Sequence, residues 1–475
     1  VRRRIREVSL GMVQASLAVI GGGVTGLVAA RRLAGAGHDV TLFEAGARLG
    51  GQVRTVEMLG QPVDVGAESL HLAGPNAQLL DELGLTDQLI TADSSFAWIW
   101  DGARRRRLPA GMGPAGPTRM WPIVRSGALS PLGMARAGLE PLLPATREQR
   151  TGAQGDVSVG SFIGRRFGAE VTDRLVDPVL GSLHAGDVHR LSMRAATPML
   201  AAKAARHRSL LLGSVRSAHP APSFVTFANG LATLIDHILA GTNVRVRLSS
   251  PVETIARSGR RFRLVETGAD GSEFDGVVVA LPAAPALGLM QPLLGVDAAP
   301  LGTLRTASVA TAVVAWDAAS AASCDPLRAT GILTPAKART LMKAATFLST
   351  KWPHLRHPDH VLFRLSAGRV GEQRVAALTD GQLVDQMVDE LQRATGLTGS
   401  PLQAQVYRWP GAIPQLEVGH LEKLANVRAG LARLPGLALA GAAYDGLGIS
   451  SCIASGHRSA EALIDELVLN EEAQP

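Results

Sequence analysis

Short apolar runs and longer helical periodicities alternate along most of this chain. Residues 17–20 form an uninterrupted apolar run that reads as a buried strand. After a glycine-rich break, Leu27, Ala30, Leu33 and Ala34 recur with the spacing of a helix face, and residues 40–43 read as a second strand. Leu79, Leu80 and Leu83 mark a short surface helix stopped by Gly84, and residues 96–100 read as a strand closed by the turn Asp101-Gly102. From 108 to 151 the periodicity weakens among Pro, Gly, Met and Trp, which suggests short helices broken by turns. Residues 156–191 restore a long helical pattern, with apolar positions at Val159, Phe162, Ile163 and Phe167 and again at Val171, Leu175, Val179 and Leu183.

Strands and helices then continue to the end of the chain. Residues 224–239 read as strand, turn and amphipathic helix, 243–252 and 261–266 as alternating strands, and 276–281 as a buried strand stopped by Pro282. Residues 307–316 and 361–366 are further strands, 380–395 an amphipathic helix, 437–441 a strand, 442–448 a loop and 449–467 a helix. The pattern predicts an α/β fold. A Rossmann-like domain would be assembled from three separated pieces (16–95, 216–300 and 406–475), with a helical lobe inserted at 96–215 and a mixed-sheet substrate domain at 301–405. A basic segment at 1–15, containing Arg2, Arg3, Arg4 and Arg6, reads as a flexible extension without a role in function.

The first break carries chemistry. Gly21, Gly23 and Gly26 make a G-x-G-x-x-G spacing between strand and helix, and Glu44 closes the second strand. In that setting Gly21 allows a tight turn, Gly23 lets a pyrophosphate approach the backbone and Gly26 lets helix and sheet pack closely. The first amides of the helix would face the phosphates, and a carboxylate at the end of the second strand suits an adenosine ribose. The unit predicts a bound dinucleotide.

A second glycine pair follows at once in Arg48-Leu49-Gly50-Gly51-Gln52-Val53-Arg54-Thr55, close enough for the chain to fold back along the same ligand. Asp64-Val65-Gly66-Ala67-Glu68-Ser69 comes after a short hairpin. This order of motifs resembles the flavin-dependent amine oxidase and protoporphyrinogen oxidase superfamily. The resemblance implies FAD rather than NAD, held in an extended conformation by a discontinuous FAD-binding domain.

Composition narrows the function less. With 475 residues, 46% of them hydrophobic and 19% charged, the chain has the makeup of a globular protein of two or three domains. A formal net charge of +7 favours anionic partners, either an anionic substrate or a membrane surface. Aromatic residues are only 4% of the chain and do not interleave with basic tracts, so no nucleic-acid partner is expected. Two cysteines, Cys324 and Cys452, give neither a disulfide framework nor a metal site, and a cytoplasmic location fits. Arg104, Arg105, Arg106 and Arg107 read as a solvated loop, the alternative being a rim that attracts carboxylates.

Five further segments narrow the resemblance. These are D-x-S-V-G-S-F-I-x-R-R-F-G at 156–168, D-P-V-L-G-S-L-H-A-G-D at 177–187, S-T-K-W at 349–352, R-W-x-x-A-I-P-Q at 408–415 and G-A-A-Y-D-G-L-G-I at 441–449. In this order they resemble the HemY-type protoporphyrinogen and coproporphyrinogen oxidases of haem biosynthesis, above all the actinobacterial ones. The resemblance implies FAD contacts at Gly21, Gly22, Gly23, Val24, Thr25, Gly26, Glu44, Ala45, Arg48, Gln52, Gly66, Ala67, Glu68, Ser69, Val252, Ala442, Leu447, Gly448 and Ile449.

It further implies a porphyrinogen substrate, O2 as oxidant, and substrate contacts at His71, Leu183, Gly186 and Lys351. His71 reads rather as a surface or cap histidine, and the alternatives for Leu183 and Lys351 are a core residue and a solvated one. Relatives carry an Arg where this chain has Ala97, which leaves the carboxylate anchor open between His71 and the arginine run. No catalytic acid or base and no metal ligand is expected, because hydride loss from a bridging methylene leaves a cation that can shed an N–H proton to water. Coproporphyrinogen III, with four propionates, suits a basic chain better than protoporphyrinogen IX with two. A flavin amine oxidase and a non-catalytic flavin or porphyrin-binding protein are the alternatives of other classes. Peripheral membrane contact, a homodimer and a haem-pathway partner enzyme are left open.

Overall fold

The computed structural model describes residues 14–472, apart from 73, 94, 95, 114, 115, 147, 150–154, 215–223 and 269. Residues 1–13 of the expected extension lie outside the described residues.

Five strands pair in parallel in the order Arg245–Arg247, Asp39–Phe43, Ser16–Ile20, Gly276–Val279, Leu437–Leu439. Both faces of the central strands are covered, which is why residues 17–20 and 277–279 are continuous apolar runs, whereas the edge strand Arg245–Arg247 is exposed. Leu17 and Val19 face the helices Val24–Gly35 and Ile449–Glu472, while Ala18 and Ile20 face the helix Ala283–Leu294 and the antiparallel ribbon Val252–Ser258, Arg261–Glu266, Ser272–Phe274. The two helices on the first face touch closely. A Cβ placed on Gly456 would stand 2.5 Å from the Thr25 carbonyl oxygen.

A seven-stranded sheet stands beside this unit, in the order Gln403–Pro414, Thr306–Asp317, His360–Ala367, Met342–Phe347, Gly331–Leu333, Ala97–Trp100, Arg105–Arg107. All neighbours are antiparallel except Ala97–Trp100 and Gly331–Leu333. One face packs under the helix Asp380–Thr395, whose Thr379–Gln382 capping box fixes its start and whose Leu383, Met387 and Leu391 bury against Ala312, Val314, Phe363 and Leu365.

Two expectations are corrected by this sheet. The arginine run is not a solvated loop, because Arg105–Arg107 is its edge strand. Arg105 donates to the carbonyls of Ala394 and Thr395, Arg106 pairs with Asp101, and Arg107 lies over the Phe96 ring. The expected boundaries at 96 and 406 also shift, since residues 97–107 and the whole of Gln403–Pro414 complete the seven-stranded sheet.

The helical lobe is built from Met120–Arg125, Pro131–Gly138, Val159–Phe167, Thr172–Gly181 and Pro198–Arg206 around Phe162, Phe167, Leu175 and Leu180. Thr172–Gly181 is a π-helix with Pro178 inside it, where the missing N–H suits the widened turn. The lobe is tied by a buried pair: Arg166 Nη2 donates to Glu140 Oε1, and Glu140 also accepts from Ser209 Oγ and Leu210 N.

Candidate functional site

At the C-terminal end of the parallel strands, the glycine turn has the geometry its spacing predicts. Gly21 has φ +109°, and a Cβ there would stand 2.5 Å from Ala280 O; a Cβ on Gly26 would stand 1.9 Å from Gly21 O. A side chain at either position would collide with backbone. Gly23 is the opposite case. A Cβ there would meet nothing within 4 Å, and Gly23 caps the helix Val24–Gly35 with no side chain to satisfy its first amides. Open space in front of unsatisfied N–H groups fits a pyrophosphate.

The second glycine pair folds back on the first. Gly50 N donates to Gly22 O at 2.8 Å, and a Cβ on Gly51 would lie 3.3 Å from Gly23 Cα. Glu44 accepts from Gly22 N and Gly46 N, both at 2.7 Å, so its carboxylate stands at the rim of the turn beside exposed Ala45. Arg48 braces the loop through the carbonyls of Leu49, Gly51 and Val53. Gln52 joins this loop to the next predicted segment, because its carbonyl accepts from Ala67 N and a Cβ on Gly66 would stand 1.9 Å from it. Half-buried Val252, Ala442, Leu447 and Ile449 and exposed Gly448, at φ +105°, complete the set of predicted cofactor residues.

Glu68 differs from its neighbours. Its buried carboxylate is taken by protein cations: Arg364 Nη2 lies at 2.5 Å from Oε2, and Lys351 Nζ at 2.7 Å and Trp352 Nε1 at 2.8 Å donate to Oε1. Burial alone would raise its pKa, but Arg364 and Lys351 outweigh it and bring the group down to about 2. Any contact of Glu68 with a cofactor is therefore left to its backbone. Arg364 also donates to Gly66 O at 2.8 Å, so this ion pair fixes the Gly66–Ser69 turn against the seven-stranded sheet. Lys351 is not solvated; it is spent on Glu68 and lies over the Phe224 ring.

The sheet face that carries Arg364 is unlike its other face. Ala97, Leu333, Ala344, Thr346, Arg364 and Ser366 alternate onto it, and all are only half-buried in mid-sheet. Across from them is the turn after the π-helix. There Leu183 is 56% exposed, so it is not core, and Gly186 is buried where a Cβ would stand 2.5 Å from Gln415 Oε1. His71 is exposed and tilted against Phe224, with ring centroids 4.1 Å apart. The half-buried face between the turn of residues 181–186, tied to Lys343 O by Ser182 Oγ, and the Gly66–Ser69 turn, tied to Arg364, is the candidate cleft. Two surface hollows of about 540 Å³, one by Thr41 and Arg247 and one by Arg328 and His357, contain none of the predicted site residues.

A model of the flavin containing amine oxidoreductases matches residues 24–464. The chain belongs to this family. Its cofactor is FAD, which the open glycine turn fits. Within the family, the chain is 33% identical to the coproporphyrinogen III oxidase of Mycobacterium leprae, covering 96% of this chain and 100% of that protein. It is 28% identical to the coproporphyrinogen III oxidase of Bacillus subtilis, over 92% and 95%. A crystal structure from Exiguobacterium sp. 255-15, provisionally named a protoporphyrinogen oxidase, superposes with a TM-score of 0.83 at 28% identity over 96% and 100% of the two chains.

Sequence reasoning missed Arg364, although a charge in the middle of V-L-F-R-L-S, on one side of the alternation, was its signal. It also missed Lys343, Arg369 and Asp64. Asp64 is buried, accepts from Thr55 Oγ1 and Leu231 N, and is raised by burial to about 7. Among the described residues no group of His, Cys, Asp or Glu is placed to hold a metal, and no helix is long and apolar enough to cross a membrane.

Proposed function

We propose that this protein oxidises coproporphyrinogen III to coproporphyrin III with O2 as acceptor, protoporphyrinogen IX being its second substrate. The observation that carries the reading is the match along nearly the whole chain to proteins named coproporphyrinogen III oxidase from both Mycobacterium leprae and Bacillus subtilis. The cyclohexylamine oxidase of Brevibacterium oxydans, at 18% identity, matches at the level of the fold alone.

The FAD contacts are those the glycine turn and its neighbours offer, with Glu44 on the ribose and the residues 66–69 and 447–449 at the flavin end. When bound, FAD supplies a two-electron acceptor that passes its electrons to O2, and three such rounds turn six electrons into three H2O2. The chain contributes position. Leu183 and the half-buried sheet face sandwich the macrocycle, His71 stands at the outer rim, and Gly186 leaves room beside Gln415. Each round removes a hydride from a methylene bridge and a proton, which water receives; over three rounds two of the protons leave pyrrole nitrogens and one leaves the fourth bridge. The exposed Trp121, Leu132, Leu142 and Met199 of the lobe, with Arg125 and Arg136 on the same helices as Trp121 and Leu132, support peripheral contact with an anionic membrane.

Anaerobic stopped-flow mixing of the FAD-loaded protein with coproporphyrinogen III, protoporphyrinogen IX and a set of amines tests the reading. Bleaching of the flavin band by coproporphyrinogen III ahead of the others is expected. Bleaching by amines alone, or by none of them, overturns it.

A further inference from the structure

The inner end of the cleft holds two cations that no described carboxylate neutralises. Lys343 is 7% exposed, and its ammonium makes no hydrogen bond or ion pair with any described residue. It sits at the irregularity between Met342 and Ala344, next to the half-buried face, with Arg364 and Arg369 as its charged neighbours. Arg369 donates through Nη2 to Thr334 O at 2.6 Å, while its buried Nη1 has no partner.

Two acidic groups stand near, and neither closes on them. Asp177 acts on Arg369 only from beyond ion-pair distance, its own carboxylate accepting from Ala336 N, and Glu372 is paired with Arg374. Burial, with Arg369 and Arg364 close by, draws the Lys343 ammonium down to about 7. Holding buried cations without a carboxylate partner is costly. An anionic ligand offsets that cost.

The turn of residues 181–186 covers this end. Ser182 Oγ donates to Lys343 O at 3.1 Å, and a Cβ on Gly181 would lie 3.4 Å from Arg369 Nη1. Lys343 lies about 10 Å along its strand from Thr346, the partner of Arg364. The other end opens at exposed His71, Leu72 and Phe224, where Lys351 is already bound to Glu68. One end is thus open to water and the other is closed around unneutralised charge.

We propose that Lys343 and Arg369 are the inner carboxylate anchor of this cleft and set its preference for a tetracarboxylate macrocycle. The inference rests on the function proposed above. A porphyrinogen with two propionates on one edge can turn that edge to water and bury its vinyl edge. One with four propionates must carry a carboxylate inward, and only then does an inner cation pair become necessary. Ala97 brings no charge to this sheet face, so the anchoring charge comes from Lys343 on the strand Met342–Phe347 and from Arg369 just past the strand His360–Ala367.

The test uses FAD-loaded wild type, Lys343→Met, Lys343→Arg and Arg369→Gln, each checked for flavin content and thermal midpoint. Two quantities are measured: kcat/KM for coproporphyrinogen III and protoporphyrinogen IX, and the Kd for the products coproporphyrin III and protoporphyrin IX by fluorescence titration. Lys343→Met is expected to lower the coproporphyrinogen-to-protoporphyrinogen ratio of kcat/KM about tenfold, mostly through KM, with a parallel loss in coproporphyrin binding and recovery in Lys343→Arg. Should Lys343→Met refuse to fold, Arg369→Gln carries the same expectation. An unchanged ratio in both activity and binding overturns the anchor. If the wild type oxidises neither porphyrinogen while Lys343→Met selectively loses coproporphyrin III, the proposed function falls and the anchor stands.

Discussion

On one face of the seven-stranded sheet Ala312, Val314, Phe363 and Leu365 disappear beneath the helix Asp380–Thr395, whereas on the other Thr346, Arg364 and Ser366 stay half-buried beside the Gly66–Ser69 turn. The sealed face is apolar and is satisfied by packing alone. The half-buried face carries charge, and the Glu68 ion pairs balance it only at one end. A strand that runs through both shows them residue by residue: Phe363 and Leu365 are core, while Arg364 between them reaches the residues assigned to the cofactor. One side of the sheet is thus held by packing and the other by ion pairs, and substitutions on the two sides are expected to fail in different ways.

The largest expected effect is on the charged side. Glu68→Gln leaves Arg364 and Lys351 buried against a neutral group and is expected to cost about 3 kcal/mol in denaturant unfolding. The wild type should show the linked pH dependence. Glu68 falls from 4.5 to about 2 on folding, so its contribution is present above 4.5 and is lost as pH drops toward 2; the substituted protein lacks that slope. Asp64 works in the other direction. Raised from 3.8 to about 7, it favours the fold below 3.8 and loses that contribution as pH climbs through 7, so Asp64→Asn should flatten the stability curve between those values.

On the sealed side, Leu391→Ala removes a fully buried side chain and is expected to cost about 2–3 kcal/mol, with turnover per bound FAD unchanged. Thr379→Ala breaks the capping box of the same helix for about 1 kcal/mol, again without a change in KM. The smallest stability effect belongs to the cleft. Leu183→Asp, at a half-exposed position, should move the unfolding midpoint by less than about 0.5 kcal/mol yet raise KM for porphyrinogen severalfold. A Leu183 variant that lost stability but kept its KM would erase the distinction between the two sides.

Elements whose pattern is local were legible in the chain itself. The helix at 380–395 is found with those bounds, and the strand–turn–helix–strand around Gly21, Gly23 and Gly26 needs only neighbours in sequence to form. The arginine strand Arg105–Arg107 was not legible, because three charges in a row carry no alternation and the strand exists by pairing with Trp98, Ile99 and Trp100. Nor was the Lys351–Glu68 pair, whose members are 283 residues apart. Glu68 reads as part of a cofactor motif until Arg364 is seen to reach it.

The order of apolar runs and glycines determined, by itself, a parallel sheet with a dinucleotide turn, since a missing Cβ and a 3.6-residue period act on the nearest neighbours; the flavin family was legible only through the resemblance of the motifs. Which charges are neutralised and which are left waiting was decided only by the tertiary structure. That outcome depends on strand register, and register brings Arg364 to Glu68 while leaving Lys343 and Arg369 without an ion-pair partner among the described residues.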